Sequence, residues 1–268
     1  MLQLRRIGAG ALPQGWPDAL RQIGLFGGAY ALYQLVRGLV NSDDAPWRAA
    51  RNATRIIDLE RRWHVFVEPQ IQHWALGLHR LMDFAAWFYV NGNLAITGGA
   101  LLWIYLRRNE SFYCVRNMFM IAMAIALVGY AVFPTAPPRL MPQWGFTDVV
   151  RLYTGVSAEH GVPAALLNLY AAVPSMHVCF ALMIAAAMVR LSSRPMARLV
   201  WALYTPFVVF VVITTGNHYL TDCVLGVATA GLSALLAGQL LARARPDDWS
   251  FTGGRMRALP EISSSATG

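Results

Sequence analysis

The stretch AAVPSMHVCFALMIAAAMVRL (residues 171–191) has the body of a membrane helix and a polar mouth. From Met176 to Leu191 it is apolar except for His177 near one end and Arg190 near the other. A polar side chain at the hydrocarbon boundary is costly unless it has a partner or a task. The questions that follow are how many such spans the chain holds, and what His177 meets.

Composition answers the first in outline. The 268 residues are 56% hydrophobic and 13% charged, with mean hydropathy +0.42. A soluble domain carries about a quarter charged residues, so a soluble globular fold is excluded and an all-α polytopic membrane protein is expected. The net charge of +8 comes from 22 basic residues, all Arg, against 14 acids. That excess fits contact with anionic head groups. Basic and aromatic residues are not interleaved, so no nucleic-acid partner is expected. The three cysteines, Cys114, Cys179 and Cys223, make no framework and read as small buried hydrophobes.

Six candidate spans follow from length and hydropathy: residues 23–40, 85–106, 112–133, 175–191, 198–215 and 219–241. They lie in one membrane catalytic domain, residues 23–245, between a cytoplasmic segment (1–22) and a flexible tail (246–268). Arg5, Arg6 and Arg21 precede the first span. Arg107, Arg108 and Arg116, then Arg190, Arg194 and Arg198, flank two short turns. Arg243, Arg245, Arg255 and Arg257 lie in or near the tail. The positive-inside rule places all of these in the cytoplasm. The loop 134–174 and the turn 214–218 then face outward, in a multi-pass protein of the cell membrane.

Residues 41–80 carry six Arg on the side assigned as external. Arg48, Arg51, Arg55, Asp58 and Arg62 recur at helical spacing, and Ile56, Leu59, Trp63 and Phe66 recur on another face. The segment is read as an amphipathic helix lying in the head-group layer. Glu68 and Pro69 start a second short helix, whose Glu68, Gln70 and Gln72 are read as a solvated face. Trp87 and Tyr89 are read as belt or packing residues.

The short turn at 191–197 makes the fourth and fifth spans antiparallel. His177 and His218 therefore emerge on one membrane face, although 41 positions apart. Asp222 follows His218 by four residues, one helical turn along the same face. A carboxylate there is placed to accept the imidazole Nδ1–H and leave Nε2 as nucleophile or base. Ser175, Thr215, Asn217 and Arg139 are candidate donors to an anion, and Pro174 opens a helix N-terminus suited to phosphate.

AAVPSMH (171–177) and TGNHYLTD (215–222) resemble the second and third signatures of the type-2 phosphatidic acid phosphatase superfamily. FPTAPPRL (133–140) and, more loosely, LERRWHVFVEPQIQHW (59–74) resemble its inositol phosphorylceramide synthase branch. The resemblance covers roughly residues 55–235 in order and spacing. The superfamily's first signature begins with Lys, which this chain lacks, and Arg139 is the obvious replacement. Val211 and Val212 stand where phosphatases of the superfamily carry Ser-Arg.

The resemblance implies a helical core, no metal and no cofactor. It also implies roles. His218 attacks phosphorus and forms a phosphohistidine, Asp222 fixes its tautomer, and His177 protonates the leaving alkoxide and then activates the acceptor. Arg139 and Ser175 hold the phosphoryl oxygens. One Asp beside two His is a thin ligand set for a metal. Three function classes stay open. The first is transfer of a phospho-head group, inositol phosphate-like, from a phospholipid donor to a lipid acceptor. The second is hydrolysis of a lipid phosphate such as phosphatidic acid or a polyprenyl diphosphate. The third is a haem-binding or inactive membrane protein.

Overall fold

The computed structural model describes residues 12–39, 45–154 and 170–241. Arg5, Arg6, the tail with Arg243, Arg245, Arg255 and Arg257, and residues 155–169 of the outer loop lie outside the described residues. Helices follow one another: α1 (Gly15–Leu39), α2 (Ala45–Arg62), α3 (Glu68–Leu76) and α4 (His79–Trp87). A π turn (Phe88–Gly92) leads into α5 (Asn93–Arg107), then α6 (Asn109–Val132) and α7 (Val149–Thr154). α8 (Met176–Leu191), α9 (Pro195–Thr214) and α10 (Leu220–Leu235) complete the run. Among the described residues the only β pairing is an isolated bridge between Thr135 and Ala171.

α8 is the centre of the bundle and packs against α5, α6, α9 and α10. Its sequence requires this, because a helix apolar all round has no face for solvent. Val178, Cys179, Ala181 and Ile184 are fully buried, and the alanines let neighbouring helices approach closely. Cys114, Cys179 and Cys223 are free thiols in this core, as their reading as small hydrophobes requires.

Among the described residues three helices are long and apolar enough to cross a membrane: Asn109–Val132, Pro195–Thr214 and Leu220–Gly238. They match three of the six expected spans. A fourth, α8, is apolar but only 16 residues long. The expected span 85–106 is divided among α4, the π turn and α5, so no single piece reaches that length. The first expected span lies in α1, where Arg21, Gln22, Gln34 and Arg37 dilute an otherwise sufficient 25-residue helix.

α2 keeps its arginine face in the open: Arg48, Arg51, Arg55, Asp58 and Arg62 are all exposed. The face packed against the rest of the protein consists of Ala49, Asn52, Ala53, Ile56, Ile57 and Glu60, while Leu59 and Trp63 are exposed. The large side chains had masked a stripe of small residues that packs closely. The solvated face assigned to α3 is corrected. Gln70 is exposed, but Glu68 and Gln72 are buried, because α3 lies beneath the turn that joins α9 to α10.

Candidate active site

Two helix starts and one helix end meet at this site. Ser175 caps α8, its hydroxyl accepting the Val178 N–H at 3.4 Å. Its own N–H donates to the backbone carbonyl of Asp222 at 3.1 Å, which ties the start of α8 to the start of α10. Gly226 makes that approach possible, since a Cβ there would lie 2.5 Å from the Ser175 carbonyl oxygen.

α9 ends at Thr214, and the chain reverses through Gly216 at φ +68°, a left-handed conformation that glycine adopts without strain. The carbonyl of Gly216 accepts the Arg139 N–H at 2.7 Å, so the proline-rich stretch is stitched to this turn. Gln72 reaches the same place, donating to the carbonyls of Thr214 and Thr147 and accepting the Thr147 N–H.

These ties bring His177 and His218 together, with ring centroids 5.7 Å apart. The His177 ring stacks on Tyr89 at 4.4 Å, and its backbone carbonyl accepts from the Asn93 side chain. His218 is 5% exposed, with Nδ1 3.4 Å from Asp222 Oδ2. Asp222 is fully buried, and the same oxygen accepts the Tyr219 N–H at 3.0 Å. The His-x3-Asp spacing thus brings the carboxylate close to Nδ1.

Arg139 is held from two sides. Its Nε donates to Asn217 Oδ1 at 3.0 Å, and Nη1 pairs with Asp148 at 3.3 Å. Asn217 is fixed in turn by donating to the Thr215 carbonyl and hydroxyl. A fork held at both ends presents its remaining N–H groups in one geometry, the arrangement that phosphate recognition favours.

A cavity of about 320 Å³ opens onto this cluster. His177, His218, Arg139 and Asn217 line it, and its walls extend along Tyr30, Leu94 and Phe180 between the helices. Ser175 and Thr215 do not line it, because both hydroxyls are committed to helix ends: Ser175 caps α8, and Thr215 donates to the Val211 carbonyl at 2.7 Å. The structure therefore assembles four of the seven residues singled out in the sequence at one surface, sets Asp222 directly behind His218, and leaves Ser175 and Thr215 in supporting positions. Sequence reasoning missed Tyr89, Asn93 and Asp148. Tyr89 and Asn93 sit one turn apart on a helix, an aromatic and an amide facing one way, which was the available signal.

Among the described residues no group of three or more His, Cys, Asp or Glu is arranged to hold a metal ion. Neither a curated protein nor a solved structure matches the chain. A family model described as the PAP2 superfamily matches residues 54–236, a range that begins in α2, ends in the last turn of helix after α10, and contains every residue of the cluster. With that match over more than half its length, the chain belongs to the PAP2 superfamily.

Proposed function

We propose that the chain is an integral membrane lipid phosphotransferase that works through a phosphohistidine on His218. The observation that carries this reading is the convergence of His177 and His218, 5.7 Å apart, on a cavity that also presents Arg139.

The chemistry runs in two halves. His218 Nε2 attacks the phosphorus of a phospholipid, and the bond from phosphorus to the leaving lipid oxygen breaks. His177, as imidazolium, gives that oxygen its proton. The Asp222 carboxylate stabilises the positive charge on His218 through Nδ1. In the second half His177, now neutral, takes the proton of an acceptor hydroxyl, whose oxygen attacks phosphorus and releases His218. Arg139 meets the charge that spreads over the phosphoryl oxygens in both transition states.

Transfer to a lipid alcohol is favoured over transfer to water by two features. Among the described residues Arg139 is the one arginine lining the cavity, and Val211 and Val212 are buried rather than lending further charge. One cation suits a singly charged phosphodiester better than a doubly charged phosphomonoester. The walls along Tyr30, Leu94 and Phe180 offer an apolar acceptor a route from the bilayer. The donor head group is read as inositol phosphate-like from the FPTAPPRL stretch. The same reading puts the cavity on the outer face of the cell membrane. His177 begins α8 and Arg190 ends it, roughly 20 Å away at 1.5 Å per residue.

The test is purified protein in liposomes with labelled phosphatidylinositol, with and without ceramide or diacylglycerol. A new inositol phospholipid that needs the acceptor supports transfer. Phosphate release from phosphatidic acid or undecaprenyl diphosphate, with no head-group transfer, assigns hydrolysis instead.

A further inference from the structure

The segment 59–74 contributes no residue to the cavity lining, yet it meets the start of the helix that His218 precedes. The first N–H groups of an α-helix lack intrahelical partners. At the start of α10 a different carboxyl takes each of three. Asp222 accepts from Tyr219, Glu68 of α3 accepts from Leu220 at 2.7 Å, and Glu60 of α2 accepts from Thr221 at 2.7 Å. The Glu60 oxygen also takes the Thr221 hydroxyl at 2.7 Å. Glu60 is 1% exposed and Glu68 is fully buried.

Each glutamate has a second oxygen. Glu60 Oε2 and Glu68 Oε2 are buried and receive no N–H or O–H from the described residues. The two carboxyls accept from consecutive backbone N–H groups, so they lie side by side in the buried space before α10. An ionised carboxylate only accepts, so a bond between two carboxyls requires that one of them hold a proton. A helix N-terminus favours negative charge, but two adjacent buried anions repel strongly, so one shared proton satisfies both demands.

We propose that Glu60 and Glu68 are positioning residues for His218, sharing one proton and fixing, through the Leu220 and Thr221 N–H groups, the helix start that presents His218 and Asp222 to the cavity. This rests on the reading of His218 as the phosphoryl-accepting residue. The pair links three helices at one point, so a shift of either glutamate is transmitted to the backbone next to His218. Gln72, one turn after Glu68, holds the other side of the same turn through the Thr214 carbonyl.

The shared proton makes the clamp sensitive to pH. Burial first, and then the hydrogen bond and charge of Glu68, push the Glu60 carboxyl up to about 8. The groups that face it are Glu68 from α3, and Tyr219 and Cys223 from α10 and its cap, with Asp222 beyond Glu68 and His218 beyond Asp222. Each of these, when ionised, is negative except His218. Raising the pH through this value leaves two anions side by side, and the clamp loosens.

The test uses the full-length protein in lipid nanodiscs with a phospholipid substrate. Glu60→Gln mimics the protonated acid, since its amide oxygen accepts from Thr221 and its amide N–H donates to Glu68. It is expected to keep activity near neutral pH and to remove the alkaline fall in kcat. Glu60→Ala and Glu68→Ala are expected to lower kcat about 10- to 100-fold, the range for groups that orient a reactive side chain, with KM little changed. An independent reading of the proton is the infrared band of a protonated carboxyl, present in the wild type and lost in Glu60→Gln. Wild-type kcat in both alanine variants overturns the proposal. So does a Glu60→Gln variant with the wild-type pH profile and an unchanged infrared band. If the alanine variants fail to fold, Glu60→Gln alone decides. A wild-type protein that forms no phosphoenzyme and turns over no phospholipid sinks the functional reading instead, while the infrared comparison still tests the shared proton.

Discussion

The Ser175 N–H donates to the backbone carbonyl of Asp222 across 3.1 Å, joining the residue before the His177 helix to the helix that His218 precedes. The distance between the two imidazoles is therefore set by backbone contact between α8 and α10. It does not depend on either side chain's rotamer alone.

Gly226→Ala tests this coupling. The added methyl would sit 2.5 Å from the Ser175 carbonyl oxygen, closer than real contacts allow, so α8 and α10 must part. Overpacking of this kind costs about 1–3 kcal/mol. A fall in Tm in detergent and a loss of turnover of more than about tenfold are expected, because a small misplacement of a reacting group is costly. Gly231→Ala, on the same helix with open space around it, is the control and should match or slightly exceed wild-type stability.

His218→Ala and His177→Ala should each abolish turnover while the fold persists, because neither ring is a large part of the core. Asp222→Asn should leave activity about 10²- to 10⁴-fold down, as for other histidines that lose an orienting carboxylate. Labelled donor lipid should leave label on the wild type and none on His218→Ala. Label on His218→Ala would reassign the nucleophile. Vanadate, a mimic of five-coordinate phosphorus, should inhibit.

Tyr89 stacks on His177, and an aromatic pair contributes roughly 0.5–1.5 kcal/mol beyond its buried area. Tyr89→Phe keeps the stack and should stay close to wild type. Tyr89→Ala should lower kcat about 3- to 10-fold if that energy holds His177 in place. Steady-state kinetics of the pair separates stacking from any role of the phenol hydroxyl.

Orientation is tested at Gln143, an exposed residue on the loop that carries Arg139. The native thiols are buried, so Gln143→Cys should label above background. A membrane-impermeant maleimide should reach it in intact cells. Labelling only after permeabilisation would place the cavity on the cytoplasmic side.

His177, His218 and Asp222 were readable because each relation rests on local rules: a helix start, a short turn between antiparallel spans, and a four-residue spacing. Glu60 and Glu68 were not. Their partners lie 161 and 152 positions away, and a glutamate on a short amphipathic helix is ordinarily solvated. Ser175 and Thr215 looked like anion donors by residue type, but helix ends claimed their hydroxyls first. The difference between six expected spans and three long apolar helices has another cause. The π turn cuts α5 to 15 residues, a break that a hydropathy window does not register, and polar residues such as Gln34 dilute α1.

The π turn at Phe88–Gly92 has a consequence for descent. Such a turn holds one residue more than an α-helical turn requires. Upstream of it α4 packs on α7 and α9, while downstream α5 packs on α6 and α8. Deleting one residue there would rotate one half against the other by about 100°, the angle per residue of an α-helix. A shorter cousin with a single-position gap at 88–92 is therefore expected to keep Asn93 on α8 and to lose the aromatic cover over His177.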